Sequence, residues 1–256
     1  MDLKILVASL KPYWIPADSI YLPIQVGAIG KDPIENFLRD DSGQNISEKN
    51  QFYSELSGLY WAWKNLDCEY LGLCHYRRYF GHRSFSRDPE KLRRSILNRE
   101  EIEKLLDSND LILPRSRNYF IETIRSQYIH AHSERDLIQV ENILAEKYPE
   151  YLSSFEKVMN RRRVHLWNMF IMPKILADEY CAWLFDILFT YEHWMDQKNL
   201  IDEKRRLFGY ISERLLDVWL CSKNLKAAEV DVVMLERVNW TKKIFSFLGR
   251  KFQSRR

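Results

Sequence analysis

The stretch Tyr70–Phe80, Y-L-G-L-C-H-Y-R-R-Y-F, decides the fold of this chain. Its first five residues are apolar and few enough for a buried strand, and a histidine and two arginines follow directly. Helical periodicity precedes it over residues 47–66, and further strands are predicted at residues 3–9, 110–113 and 164–172. This alternation predicts a single α/β domain with a mostly parallel central sheet flanked by helices.

The chain of 256 residues suits one domain followed by a tail. With 46% hydrophobic and 14% aromatic residues, it can form a packed core. We predict a domain over residues 1–236 and a basic tail over 237–256. Four apolar side chains of the tail share one helical face, opposite lysines and arginines: Trp240, Ile244, Phe247 and Leu248. This pattern predicts a C-terminal amphipathic helix on an anionic membrane surface, and the alternative is a helix packed on the domain.

The charge distribution argues against a nucleic-acid partner. The net charge is +3, but six Lys and Arg follow Thr241 without any acid, which leaves −3 for the first 241 residues.

The N-terminus lacks the pattern of a signal peptide, and no run of 18 apolar residues is present. The four cysteines form no C-x-x-C pair, which argues against a zinc site and a disulfide framework. We therefore expect a cytoplasmic protein, peripheral at the inner face of the plasma membrane.

The side chains after the strand at 70–74 are candidates for binding a diphosphate. Nucleotide-sugar transferases of the open α/β type usually carry a metal-binding Asp-x-Asp pair at this place. Here His75, Tyr76, Arg77 and Arg78 follow the strand. Guanidinium groups bind phosphate oxygens bidentately and stay charged, so we expect Arg77 to act in catalysis and the other three to bind the donor. In the alternative, the strand continues, and adjacent arginines point to opposite faces of the sheet.

A reaction without a metal cofactor follows from this interpretation, because the arginines take the role of the cation. The sequence leaves a manganese or magnesium site open as the alternative. Its ligands would come from four aspartates in turns, a type of segment that collects Asp for backbone reasons alone: Asp40, Asp41, Asp107 and Asp110. No P-loop, G-x-G-x-x-G or G-x-S-x-G motif occurs in the chain.

Two further segments are predicted to bind the substrates. Pro23, Gln25 and Gly27 lie in the Pro-rich segment after the first strand, on the side where open α/β sheets bind ligands, so we assign them to the donor. Asn168 interrupts the apolar strand at 164–172 and is expected to bind a sugar hydroxyl, or alternatively to cap the backbone.

The last candidates lie on a helix predicted at 205–222. Arg206, Tyr210 and Glu213 are spaced by four and three residues and can share one face, with Arg214 beside them. Glu213 is the predicted general base for an acceptor hydroxyl, and the other three are predicted to bind substrate. An ion-pair network of Arg206, Glu213 and Arg214 that stabilises the helix is the alternative.

Five blocks of sequence between about residues 20 and 222 resemble, in order, a bacterial domain family of unknown function. They are LPIQVGAIG, GQNISEKNQFYSELSGLYWAWKNL, YLGLCHYRRYF, NMFIMPK and RRLFGYISERLLDVW. Members of the family are associated with the biosynthesis of capsule, exopolysaccharide and lipopolysaccharide O-antigen. The resemblance implies a Rossmann-like, GT-A-like nucleotide-sugar transferase fold and glycosyltransferase activity. Some relatives are regarded as galactofuranosyltransferases that use a UDP-sugar.

The combined expectation is a glycosyltransferase. It would transfer a hexose, with galactofuranose as one candidate, from a UDP-sugar to a lipid-linked or polysaccharide acceptor. The alternative is a non-catalytic domain that binds polysaccharide or a partner of the assembly machinery.

Overall fold

The computed structural model describes residues 1–200 and 206–236. The predicted C-terminal amphipathic helix, in the tail 237–256, lies outside the described residues. None of the helices within the described ranges is long and apolar enough to cross a membrane.

Within these described ranges, ten strands form an eight-stranded sheet and a separate two-stranded ribbon. They are β1 (Leu3–Ser9), β2 (Tyr21–Gln25), β3 (Leu38–Arg39), β4 (Tyr70–His75), β5 (Arg78–Gly81), β6 (Leu111–Pro114), β7 (Arg117–Asn118), β8 (Arg163–Val164), β9 (Phe170–Pro173) and β10 (Ala227–Met234). The order in the large sheet is β3-β2-β1-β4-β5-β10-β6-β9, and β9 also pairs with β4. Strands β7 and β8 form the ribbon.

The sheet is mixed, so the prediction of a mostly parallel sheet is wrong. Strands β1, β2, β3 and β4 pair in parallel, as do β6 and β10. Strand β5 returns from β4 through a two-residue turn and also pairs antiparallel with β10. Strand β9 runs antiparallel to both β4 and β6. The reversal from β4 into β5 needs only a two-residue turn, whereas β9 and β10 reach their antiparallel partners from distant parts of the chain, and no local pattern predicts such pairings.

Helices cover both faces of the sheet. They are α1 (Asn50–Tyr53), α2 (Leu56–Asn65), α3 (Pro89–Arg93), α4 (Arg99–Leu106), α5 (Ile124–Ala131), α6 (Glu134–Lys147), α7 (Leu152–Met159), α8 (Lys174–Gln197) and α9 (Leu207–Ser222). Helices α2 and α5 to α9 contribute buried residues to one hydrophobic cluster, and α4 contributes to a second cluster. The predicted α/β class is therefore confirmed.

Strand β1 shows how the sheet separates these two clusters. Leu6 and Ala8 belong to the first cluster, and Leu3, Ile5 and Val7 belong to the second. Successive side chains of a strand point to opposite faces, so a strand with apolar residues at every position must be covered on both sides. Hydrophobic side chains therefore pack against both faces of the sheet, and this packing fixes the positions of the strand ends.

Two predicted elements are interrupted at single residues. The predicted helix 47–66 breaks at Ser54, a non-glycine residue with φ of 54°, so that α2 begins after Glu55. The predicted strand 164–172 breaks at Trp167 and Asn168, whose φ values are 72° and 54°. Left-handed backbone costs about 1–3 kcal/mol at a non-glycine residue, and it concentrates at functional sites.

Candidate active site

A cavity of about 230 Å³ opens at the carboxyl ends of β1 and β4. These two strands run parallel, so their carboxyl ends meet at one edge of the sheet. Six of the polar side chains that line the cavity come from three separate segments of the chain: Glu55, His75, Tyr76, Arg77, Arg78 and Arg206. The cavity therefore brings three guanidinium groups together with one carboxylate.

The turn between β4 and β5 explains why both adjacent arginines reach the cavity. Strand β4 ends at His75, which pairs with Arg78 at the start of β5. Tyr76 and Arg77 form the turn between them. The sequence left open whether Arg77 and Arg78 point to opposite faces of a continuing strand. Because the strand does not continue, both line the same cavity.

Arg78 is a partly buried cation that no described carboxylate pairs with. Its Nε atom is buried and has no hydrogen-bond partner, and its guanidinium lies over the ring of Trp167, 5.5 Å from the ring centre. Burial lowers the pKa of Arg78, and the charge of neighbouring Arg77 lowers it further. A desolvated guanidinium of this kind is stabilised by an anion that enters the cavity.

Arg77, in contrast, has a partner at the rim of the cavity. Its Nη1 donates to Oε2 of Glu236 at 2.9 Å, and Lys11 Nζ lies 3.7 Å from Oε1 of the same carboxylate. The hydrogen bond from Arg77 lowers the pKa of Glu236. The side chain of Arg77 is 36% exposed, so it can exchange this carboxylate for another anion.

His75 contributes a neutral imidazole to the cavity. Its Nε2 lies 2.7 Å from the carbonyl oxygen of Trp167, which can only accept, so Nε2 carries the proton and Nδ1 has the free lone pair. Burial lowers the pKa of His75 and outweighs the charge of Glu55, which raises it. His75 can therefore accept a hydrogen bond but adds no positive charge at neutral pH.

Glu213, the predicted general base, does not line the cavity. Its Oε1 accepts the backbone N–H of Trp167 at 3.0 Å, and its Oε2 accepts from Arg214 Nη1 at 2.7 Å. Burial raises the pKa of Glu213, Arg214 lowers it, and the charge of Glu55 raises it. Glu213 thus positions Trp167, and the carbonyl oxygen of Trp167 accepts a hydrogen bond from His75. Its role as a base stays a prediction.

Asn168 is buried and belongs to a hydrogen-bond network beneath the cavity. Its Nδ2 donates to Oε1 of Glu55 at 2.6 Å and to the carbonyl oxygen of Gly209 at 3.1 Å. Its Oδ1 accepts from Ser212 Oγ at 2.8 Å. The amide thus bonds to protein groups, one of which is a carboxylate that lines the cavity, and the predicted contact with a sugar hydroxyl stays a prediction.

The three residues predicted in the segment after β1 lie beside the cavity without lining it. Pro23 and Gln25 belong to β2, and Gln25 bonds through its amide to the backbone of Asp32 and Ile34. Gly27 has φ of 59° and donates its N–H to the fully buried carboxylate of Asp40. These contacts shape the loop next to Val26, which does line the cavity.

Asp40 itself is occupied by protein donors. It accepts from the N–H groups of Gly27 and Ala28 and from the hydroxyls of Ser47 and Ser57. Among residues 1–200 and 206–236, no three His, Cys, Asp or Glu side chains form a group that could hold a metal ion. A reaction without a metal stays a prediction.

The remaining predicted residues lie at the N-terminal end of α9, where Arg206 directly precedes the helix. Arg206 lines the cavity, and its Nε donates to Ser54 Oγ at 3.2 Å. Tyr210 packs between the guanidinium of Arg206 and the ring of His132. Arg214 is only 4% exposed and bonds to Glu213, to the carbonyl oxygen of Tyr210 and to Gln127. Of these residues, only Arg206 reaches the cavity.

Four left-handed, non-glycine residues surround the cavity. Ser54 and Arg206 line it, while Trp167 and Asn168 contact His75 and Glu55, which line it. They are four of the seven such residues in the described ranges. Strain that persists in this way is typical of sites whose geometry the surrounding structure fixes in advance.

Glu55 is the residue that the sequence prediction missed. It lines the cavity, is 8% exposed, and lies between α1 and α2. Within the helix predicted over 47–66 it is one of two acids, the other being Glu48, and no spacing distinguishes it as a site residue. Its position depends on the interruption of the helix at Ser54, which no local sequence pattern predicts.

The fold and the site define an α/β protein with an arginine-lined cavity where open α/β sheets bind their ligands. The chain belongs to the family described as a domain of unknown function (DUF4422), whose model matches residues 4–224. This agrees with the expected resemblance to a domain family of unknown function. A search of the curated proteins found no match.

Among solved structures, the chain is similar to the apo structure of WbbM, a bifunctional glycosyltransferase. The two share 26% sequence identity and superpose with a TM-score of 0.77. The superposition covers 93% of this chain and 46% of that chain, so this chain spans less than half the length of WbbM. The similarity supports the expected glycosyltransferase-like fold.

Proposed function

We propose that this protein is a glycosyltransferase of polysaccharide synthesis. It would transfer a hexose from a UDP-sugar to a lipid-linked or polysaccharide acceptor, and galactofuranose is one candidate for the sugar. The similarity to a bifunctional glycosyltransferase over 93% of the chain supports the reaction class. The proposed acceptor and the proposed UDP group of the donor rest on the family resemblance.

The observation that carries the proposal is the unpaired charge of Arg78 in the cavity. A glycosyl transfer leaves a nucleoside diphosphate, whose negative charge grows as the sugar departs. Arg78, with a buried Nε that lacks a partner, is available to stabilise this charge without first breaking an ion pair. Arg77 and Arg206 line the same cavity and add two further positive charges.

The size of the cavity suits the reacting end of the donor. Ligand pockets usually measure about 300–1,000 Å³, and this one is smaller, at about 230 Å³. It therefore accommodates the sugar and diphosphate, while the uridine extends over its rim. Tyr76 lines that rim and packs edge-on against Tyr13 with ring centres 4.9 Å apart, which offers an aromatic surface to the base.

The proposed membrane-linked acceptor implies a protein that works at the inner face of the plasma membrane. The basic tail 237–256 is the proposed contact with anionic lipid. The segment lies outside the described residues, and the proposal rests on its sequence pattern alone.

UDP binding tests the proposal directly. UDP should raise the melting temperature of the wild-type chain, because a ligand that binds only the folded state stabilises it. Replacement Arg78→Ala should weaken UDP binding about 10- to 100-fold, since a charge-assisted hydrogen bond contributes about 1.5–3 kcal/mol. Arg162→Ala is the matched control, because Arg162 is exposed and does not line the cavity. Equal UDP binding by wild type and Arg78→Ala would argue against the proposal.

Turnover then separates an enzyme from a non-catalytic domain. The wild-type chain should release UDP from at least one donor among UDP-glucose, UDP-galactose and UDP-galactofuranose when lipid extract from a polysaccharide-producing strain is added. UDP binding without any release or transfer would favour the non-catalytic alternative.

A further inference from the structure

We propose that Glu55 is the general base that removes the proton from the acceptor hydroxyl. The inference rests on the proposed glycosyltransferase activity and identifies the acceptor side of the same cavity. It assigns to Glu55 the role that the sequence pattern predicts for Glu213.

The first argument is the geometry of the carboxylate. Glu55 lines the cavity, and its Oε1 is fixed by the 2.6 Å hydrogen bond from Asn168. No described residue donates a hydrogen bond to Oε2. One oxygen is therefore held by the protein, and the other remains available to a hydroxyl that enters the cavity. A base must lie within hydrogen-bond distance of the proton that it removes, and Glu55 is the one carboxylate of the described residues that lines this cavity.

The contrast with Glu213 is the second argument. Both oxygens of Glu213 accept hydrogen bonds, one from the Trp167 backbone and one from Arg214. Glu213 also does not line the cavity, so it does not meet a hydroxyl that enters there. Glu55 does line it.

The third argument is the arrangement of charges around Glu55. Arg78 and Arg206 line the same cavity, and the charge of Glu55 acts on the ionisation of both Arg78 and His75. The acceptor oxygen becomes negative as its proton leaves, and the diphosphate becomes negative as the sugar leaves. A carboxylate that takes up the proton and guanidinium groups that stabilise the diphosphate match these two changes.

The reaction step balances without a further reactant. The acceptor O–H gives its proton to Oε2 of Glu55, and its oxygen forms the new bond to the anomeric carbon. The bond from that carbon to the diphosphate oxygen breaks, and its electron pair leaves with UDP beside Arg78. This single displacement inverts the anomeric configuration.

His75 is the competing base in the same cavity. Its Nδ1 carries a free lone pair because Nε2 donates to the Trp167 carbonyl. Burial lowers its pKa, which makes the neutral imidazole a weaker base. The experiment therefore compares both residues.

The test measures three quantities for the wild-type chain and four variants: the rate of transfer, the affinity for UDP and the melting temperature. Glu55→Gln keeps the shape of the side chain and the oxygen that accepts from Asn168 but removes the base. Its kcat should fall at least about 100-fold, the usual size of a general-base contribution, while UDP affinity stays within about threefold. Glu48→Gln, an exposed acid of the same segment, is the control and should retain wild-type values.

The remaining variants decide between the candidates. Glu213→Gln should lower the melting temperature, because it opposes an amide N–H₂ to Arg214, and should reduce kcat less than tenfold. Transfer by Glu55→Gln within tenfold of wild type, a larger loss in His75→Gln than in Glu55→Gln, or a product with retained anomeric configuration each overturns the assignment. A wild-type chain that neither binds UDP nor transfers sugar overturns the proposed function, whereas an active wild type with an active Glu55→Gln overturns only this inference.

Discussion

Arg77 Nη1 and Glu236 Oε2 lie 2.9 Å apart at the rim of the cavity, and Lys11 approaches the other oxygen of the same carboxylate. A diphosphate in the cavity competes with Glu236 for Arg77. We predict that Glu236→Gln binds UDP up to about fivefold more tightly than wild type, because exposed ion pairs contribute about 0–1 kcal/mol and their loss frees the cation. Calorimetric titration with UDP measures the change. Weaker binding by this variant would mean that Glu236 itself orients the ligand.

The loop after β2 offers a pair of glycines that separates steric from backbone strain. Gly27 and Gly30 have similar φ values of 59° and 70°. A Cβ at Gly27 would lie 2.7 Å from the side chain of Asn50, whereas none of the described atoms lies within 4 Å of a Cβ at Gly30. Gly30→Ala should lose about 1–2 kcal/mol of unfolding free energy, the cost of left-handed backbone, and Gly27→Ala should lose distinctly more.

Urea unfolding of the two variants measures this difference. Equal midpoints for Gly27→Ala and Gly30→Ala would show that Asn50 moves aside at no cost. Because Gly27 adjoins Val26 at the cavity, the first variant should also bind UDP less tightly, and the second should not.

Metal dependence distinguishes the arginine-based mechanism from a metal-based one. We predict that EDTA leaves UDP release and transfer within about twofold of the untreated rate, since guanidinium groups line the cavity and can neutralise the diphosphate themselves. Activity that is lost in EDTA and restored by manganese would instead assign the diphosphate to a metal. Asp40→Asn and Asp110→Asn would then identify its ligands.

His165 joins three elements and should make stability depend on pH. Its Nδ1 lies 2.5 Å from Asp217, and its Nε2 lies 3.1 Å from Glu229. Burial lowers the pKa of His165, but the hydrogen bonds and charges of Asp217 and Glu229 outweigh it, so the pKa is raised overall. The stabilisation is therefore complete below about pH 6.5, the pKa of an unfolded histidine, and is lost as the pH rises through the raised value.

Melting curves from pH 6 to 9 check this dependence. The wild type should lose melting temperature across that range relative to His165→Gln, so the two curves should converge at high pH. A difference that stays constant from pH 6 to 9 would show that the neutral imidazole stabilises the fold equally well.

Membrane binding can be tested on the full chain by sedimentation with vesicles. We predict binding to vesicles with anionic lipid and not to neutral ones, and a loss of binding when Lys242, Lys243, Arg250 and Lys251 are replaced by Glu. The triple replacement Arg161→Glu, Arg162→Glu and Arg163→Glu is the control of comparable charge. If only the control variant lost vesicle binding, the membrane contact would lie outside the tail.

The sequence predicts several apolar strands and one long helix well, because these depend on local periodicity. The apolar runs of β1, β4 and β6 and the helix at 205–222, which becomes α9, were identified from residue pattern alone. The position of Arg77 and Arg78 after β4 likewise predicted a cluster of cations, and both line the cavity. The sequence therefore located one group of residues that line the candidate site.

What the sequence missed depends on contacts between distant segments. The pairing of β9 with β4 brings Asn168 to Glu55, residues 113 positions apart. No local spacing carries this information. The assignment of Glu213 failed to anticipate that both its oxygens are taken by the Trp167 backbone and Arg214, because these bonds follow from the left-handed turn at Trp167.

The left-handed turns around the cavity should also be the first part of the protein to lose its native conformation. Each of Ser54, Trp167, Asn168 and Arg206 stays in an unfavourable conformation only while the rest of the domain holds it there. These turns should relax at urea concentrations too low to melt the sheet. An old or partly damaged preparation should therefore lose its ligand-binding fraction while its circular dichroism spectrum is still that of the intact protein.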